Sequence, residues 1–92
     1  MQLPATATLA EAAALAATLP AAVAAGSGPL LVDASALTAF DSSTIALLLQ
    51  AQRLAQAAGR TLQVAGTPDK LVGLARLYGV DGLLPLAPSD AG

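Results

Sequence analysis

Apolar positions along this chain switch between short runs and helical spacing, and Gly, Pro, acids and hydroxyls mark the switches. Leu30, Leu31 and Val32 form a run bounded by Gly28-Pro29 and Asp33, the pattern of a strand buried on both faces. The chain then turns through Ala36-Leu37-Thr38-Ala39-Phe40. Asp41 and Ser42 follow, offering side-chain oxygens to the first-turn amides of a helix over 45–58 that Gly59 closes in a left-handed cap. At 61–65 Leu62 and Val64 alternate onto one side, predicting a strand ended by Gly66.

Upstream, residues 2–5 make at most an edge strand, since Pro4 has no amide to donate. Thr8 and Glu11 match a capping box, and the helix they open is predicted to bury Leu9, Ala12, Ala13, Ala16, Leu19 and Val23, with Pro20 kinking or splitting it. Downstream, Thr67-Pro68-Asp69 combines a hydroxyl cap, proline at the first helical position and an acid in the first turn. That helix carries Leu71, Leu74, Ala75 and Tyr78 at helical spacing, widened by Val72, and stops at Gly79. Residues 83–86 read as a last short strand, and 87–92 lack periodicity and are expected to be disordered. The order predicts one α/β domain over 1–86, a mixed or mostly parallel four-stranded sheet with three or four helices.

The central helix is amphipathic in an unusual way. At 100° per residue, Leu47, Leu48, Ala51, Leu54, Ala55 and Ala58 share a face assigned to the core. The opposite side carries Ser42, Ala46, Leu49, Arg53 and Gln56, with Ile45, Gln50 and Gln52 on its flanks. A solvated face is normally polar from end to end. Here its first two turns expose Ile45, Ala46 and Leu49 around a serine hydroxyl. Two readings stand: a docking surface with Ser42 at its rim, or a simple cap beside a tolerated surface leucine.

Composition removes several alternatives. Ninety-two residues suffice for one modest core, and the 55% apolar content is inflated by alanine, roughly a quarter of the chain. Phe40 and Tyr78 are the only aromatics, and the four cations, Arg53, Arg60, Lys70 and Arg76, are scattered on a chain of net charge -2. Neither a base-stacking platform nor a basic stripe exists, so no nucleic acid partner is expected. With no Cys and no His, thiol nucleophiles, imidazole bases and the usual zinc sites are absent. Asp33 and Asp41 flank one turn, where strand-end and cap roles explain them more simply than a cation, so no metal is expected. No Gly-rich phosphate loop supports a nucleotide, and no cofactor is expected. The apolar residues 12–25 lack a preceding positive charge, follow Glu11, contain Pro20 and are too alanine-rich to span a bilayer, so a cytoplasmic location without direct membrane insertion is expected.

From Asp33 through Thr44 the pattern of strand, acidic turn and Asp-Ser-Ser opening a helix resembles the STAS domain of sulfate transporters and anti-sigma-factor antagonists. Asp69-Lys70-Leu71, the Leu74-Ala75-Arg76-Leu77-Tyr78 stretch and Leu83-Leu84-Pro85 are most similar to the MlaB branch, so the resemblance covers nearly the whole chain. That branch supplies a small cytoplasmic subunit to a bacterial ABC system that moves phospholipids and maintains outer-membrane asymmetry. The resemblance implies that Asp41-Ser42 matches the Asp and Ser or Thr phosphorylated in antagonist members, and that in the MlaB branch this position faces the transporter's ATPase. Thr44 departs from the small residue, most often Gly, that the family carries one or two places after the Ser or Thr.

Two functions follow from residues and resemblance together. The first is a non-catalytic subunit that binds the ATPase of an ABC phospholipid transporter through Asp41, Ser42, Ser43, Ile45, Ala46, Leu49 and Arg53, and is peripheral at the inner membrane through that partner. The second is an anti-sigma-factor antagonist whose Ser42 is phosphorylated by an anti-sigma-factor kinase; a phosphate there meets the helix dipole and free amides, opposed by Asp41. Catalysis by Ser42 lacks a base, because there is no His and nothing marks Lys70 as its partner.

Overall fold

Leu30 and Val32 on one strand face Leu62 and Val64 on its neighbour, in parallel register, and all four are buried. This one-sided burial organises the domain in the computed structural model, which describes residues 1–88. The elements run β1 (Thr6–Ala7), α1 (Leu9–Ala24), β2 (Leu30–Asp33), β3 (Ala39–Phe40), α2 (Ser42–Ala57), β4 (Leu62–Thr67), α3 (Asp69–Leu77) and β5 (Leu86–Pro88). β2, β4 and β5 form a parallel sheet in that order, and β1 pairs in parallel with β3 as a separate ribbon. The fold is the α/β class expected, with three helices and every pairing parallel.

The N-terminus does more than a short edge strand would. The Leu3 amide donates to the Asp33 carbonyl and the Asp33 amide to the Met1 carbonyl, both at 2.8 Å, so the first residues extend the sheet beyond β2. The expected strand over 2–5 does not persist through Pro4. Instead the chain changes partners, and the Ala5 carbonyl accepts from the amides of Thr38 at 2.8 Å and Ala39 at 2.9 Å.

β2 is not buried on both faces. Leu31 is 59% exposed and Asp33 is also exposed, so the helices cover one face of the sheet only. A run of three apolar residues is too short to reveal the alternation.

α1 runs unbroken through Pro20, whose ring is exposed, and it buries Leu19 and Val23. Leu9 and Ala13, assigned to its core stripe, are exposed; they lie about 80° and 120° round the helix from Leu19. So many alanines leave the rotation of this helix poorly marked. At the far end α1 stops without glycine, and Arg60 supplies what a glycine cap would have arranged. Its guanidinium donates to the carbonyls of Val23 at 2.7 Å, Ala22 at 3.3 Å, Gly28 at 2.8 Å and Pro29 at 3.2 Å.

β4 continues two residues past its expected end, through Gly66 at φ 66°. A Cβ there would stand 2.8 Å from the Ser35 Cβ, so only glycine lets the strand pass the turn after β2. Thr67 is therefore a fully buried strand residue and does not cap α3; Pro68 occupies that place. Tyr78, assigned to the buried face of α3, is 54% exposed, because the helix ends at Leu77 and Tyr78 is its cap residue. Val80 packs on the core instead, its amide donating to the Ala75 carbonyl at 2.9 Å. Leu83 and Leu84 lie in a turn rather than a strand, with Leu84 buried and Leu83 60% exposed. Ala87 and Pro88, assigned to the tail, belong to β5, and 89–92 lie outside the described residues.

α2 buries Thr44, Ile45, Leu47, Leu48, Ala51 and Ala55, while Leu54 is half-buried and Ala58 exposed. Ile45 is the correction that matters for function. It is only 4% exposed, since it sits about 60° from Leu48 and closes the edge of the core arc. Leu48→Ala is expected to cost about 2–5 kcal/mol, Ile45→Ala a cost of the same class, and half-buried Leu49→Ala clearly less. Chemical denaturation of the three variants measures this, and equal losses at Leu48 and Leu49 would contradict the rotation of α2.

Candidate functional site

The site is built where two helices begin side by side. Thr8 precedes α1, and its amide and hydroxyl both donate to the Glu11 carboxylate, at 2.9 and 2.6 Å. Asp41 precedes α2 and accepts from the Ser43 amide at 2.8 Å through Oδ1. Its other oxygen accepts from the Leu9 amide of α1 at 3.3 Å. One carboxylate thus serves two helix N-termini, whose unpaired amides and aligned dipoles both favour negative charge.

Thr44 ties the same junction to the ribbon of β1 and β3. Its hydroxyl donates to the Ala7 carbonyl at 2.6 Å and accepts from the Asp41 amide at 3.2 Å, and the residue is fully buried. The residue that departs from the family pattern therefore points inward and does not stand on the exposed side of α2.

With Asp41 as cap, Ser42 is released from that duty. It is exposed, and among the described residues its hydroxyl makes no hydrogen bond. The reading of Ser42 as a cap is set aside. Asp33 is also occupied locally: its carboxylate accepts from the Ser35 amide at 2.9 Å, and bonding to Ser35 holds its carboxyl below the ordinary range.

From Ser42 the exposed ridge of α2 runs through Ala46 and half-buried Leu49 to exposed Arg53. A shallow groove of about 260 Å³ lies on the α1 side, lined by Leu9, Ala12, Ala13, Ala16, Ser43, Ala46, Leu47 and Gln50. A second, of about 560 Å³, lies on the other side, lined by Ala46, Leu49, Gln52, Arg53, Gln56 and Leu83. Ala46 borders both. Of the predicted residues, Ser42, Ala46 and Arg53 are exposed, Asp41, Ser43 and Leu49 are half-buried, and Ile45 is inside. Leu9, 74% exposed, and Leu83 were missed, the first hidden in an alanine-rich stripe and the second read as strand.

A family model described as "Mlab, STAS domain" matches residues 1–85. The chain belongs to this MlaB-type STAS family. No curated protein matches it as a relative. STAS domains of this type are generally non-catalytic. Asp41, the carboxylate adjacent to Ser42, is engaged by two amides. Among the described residues no cluster of three or more acids is present, and no helix is long and apolar enough to cross a membrane.

Removing the shared cap is expected to cost stability without touching the ridge. Asp41→Ala should lose about 1–2 kcal/mol, at the upper end of single-cap values because two helices are affected, whereas Ser42→Ala should change stability by less than about 0.5 kcal/mol. Thermal and denaturant melts compare them. A larger loss at Ser42 than at Asp41 would reverse the assignment of the cap.

Proposed function

We propose that this STAS domain is a non-catalytic subunit that binds the cytoplasmic ATPase of an ABC phospholipid transporter, serving outer-membrane lipid asymmetry. The observation that carries the reading is the apolar ridge and grooves around the first half of α2. Ala46, Leu49, Leu9 and Leu83 stand where an isolated domain would be polar, beside an uncommitted Ser42 hydroxyl. In the MlaB branch the Ser42 position faces the ATPase, which gives this surface its occupant. Such a subunit sits at the inner membrane through its partner. Among the described residues no helix is long and apolar enough to cross a membrane.

A second reading has one observation in its favour. The exposed, unbonded Ser42 hydroxyl at a helix start suits phosphorylation in an anti-sigma-factor antagonist. The apolar grooves on both sides of the ridge favour the first.

The test is titration calorimetry against the ATPase subunit, with melts of each variant. Ala46→Arg adds a charge to a surface that must be desolvated in the complex, and is expected to weaken binding at least about tenfold while shifting stability by less than about 0.5 kcal/mol. Ser42→Glu should weaken binding more than Ser42→Ala, which removes one hydroxyl. Affinity unchanged by both Ala46→Arg and Ser42→Glu would place the interface elsewhere.

A further inference from the structure

The hydroxyl of Thr67 is the one buried side-chain polar atom that finds no hydrogen-bond partner among the described residues. An unpaired buried hydroxyl is destabilising, and valine, branched in the same way, would fill a strand position without that cost. In the strand it occupies, the hydroxyl has no work to do. Two residues further on, α3 begins without what it could supply: Pro68 is the N-cap, and no side chain caps the first turn.

The strand that holds Thr67 is weakest at this end. β2 stops opposite Ala65, so Gly66 and Thr67 extend beyond that pairing. On the other side the register to β5 slips, with three steps along β4 matching two along β5. The last rung sets Thr67 opposite Pro88, which has no amide to donate.

Little in the backbone separates Thr67 from the cap position. Pro68 has φ -59° and ψ 143°, so its φ already suits a helix and only its ψ does not. Turning that one bond into the helical range, with Gly66 taking up the displacement, brings Pro68 into the first helical position and Thr67 to the cap. There the Thr67 oxygen meets the amides of Asp69 and Lys70.

We propose that the junction of β4 and α3 is a two-state element, switched by the ψ bond of Pro68. In the arrangement described above, Thr67 is a strand residue with an idle hydroxyl and α3 starts uncapped. In the other, Thr67 caps α3, the helix gains Pro68, and β5 loses its last rung. Each arrangement satisfies what the other leaves open, so the start of α3 is coupled to the end of the sheet.

The test uses the full chain in solution, with nitrogen relaxation dispersion NMR and melts of each variant. Wild type is expected to show exchange at the amides of Gly66, Thr67, Asp69, Lys70 and Ala87, with a minor form that carries a helical carbon shift at Pro68. Thr67→Val removes the cap and the idle hydroxyl together, and should abolish that exchange while melting at a higher temperature. Thr67→Ser makes a better cap and a poorer strand residue, and should raise the minor population about threefold or more. Flat dispersion in wild type, exchange that survives in Thr67→Val, or a minor form without the helical shift at Pro68 would overturn the proposal. So would a Thr67→Val variant that melts below wild type, because the hydroxyl would then be bonded in the strand arrangement through a buried water.

Discussion

The carboxylate shared by the starts of α1 and α2 is the constraint from which the arrangement of the helical face follows. Because Asp41 accepts from an amide of each helix, both helices begin at one end of the domain, and their relative height is fixed by a single side chain. Thr44 then fixes that end against β1 through a buried hydroxyl. The consequence is economical in residues. The side chain that would ordinarily cap α2 from its neighbouring serine is unnecessary, and the serine is left standing in solvent.

Packing between the helices has a comparable logic. α1 and α2 meet through alanines, which permits close backbone approach but leaves little bulk to fill the seam at the surface. The groove on the α1 side of the α2 ridge is partly a product of that choice. On the sheet, the helices cover one face, and Leu31, Gln63 and Ala65 are left on the other. The domain therefore presents two unlike surfaces: a helical one, and a sheet face on which exposed Leu31 stands beside Asp33, Gln63 and Ala65.

Much of this was legible in the order of residues. The strands at Leu30 and Leu62, the helix opened by Asp41 and closed by Gly59, and the third helix ending before Gly79 follow from local punctuation, because caps and turns are determined by a few adjacent residues. Rotation of helices was less legible. Ile45 was placed outside because it lies at the margin of the core arc, where a pattern of 100° steps decides least and neighbouring elements decide most. Leu9 was placed inside for the converse reason, in a helix whose alanines scarcely distinguish one side from another. The pairing of β1 with β3 depends on contacts across 33 positions, Thr6 opposite Ala39, and two-residue strands leave no periodic trace. Of the candidate site, the ridge from Ser42 to Arg53 was visible because it lies on one helix. Leu83 was not, since only the folded chain carries it there.

Arg60 has a consequence for how the domain comes apart. Its guanidinium collects carbonyls from the end of α1 and from the loop leading into β2, while its backbone leads directly into β4. Fraying at the end of α1 therefore breaks bonds that also hold the entry to the sheet, and loosening of that entry uncaps the helix. An alanine-rich helix containing a proline would otherwise be a natural place for independent local opening. Bound in this way, it is coupled to the sheet, and the least self-sufficient segment of the chain shares in the cooperativity of the whole.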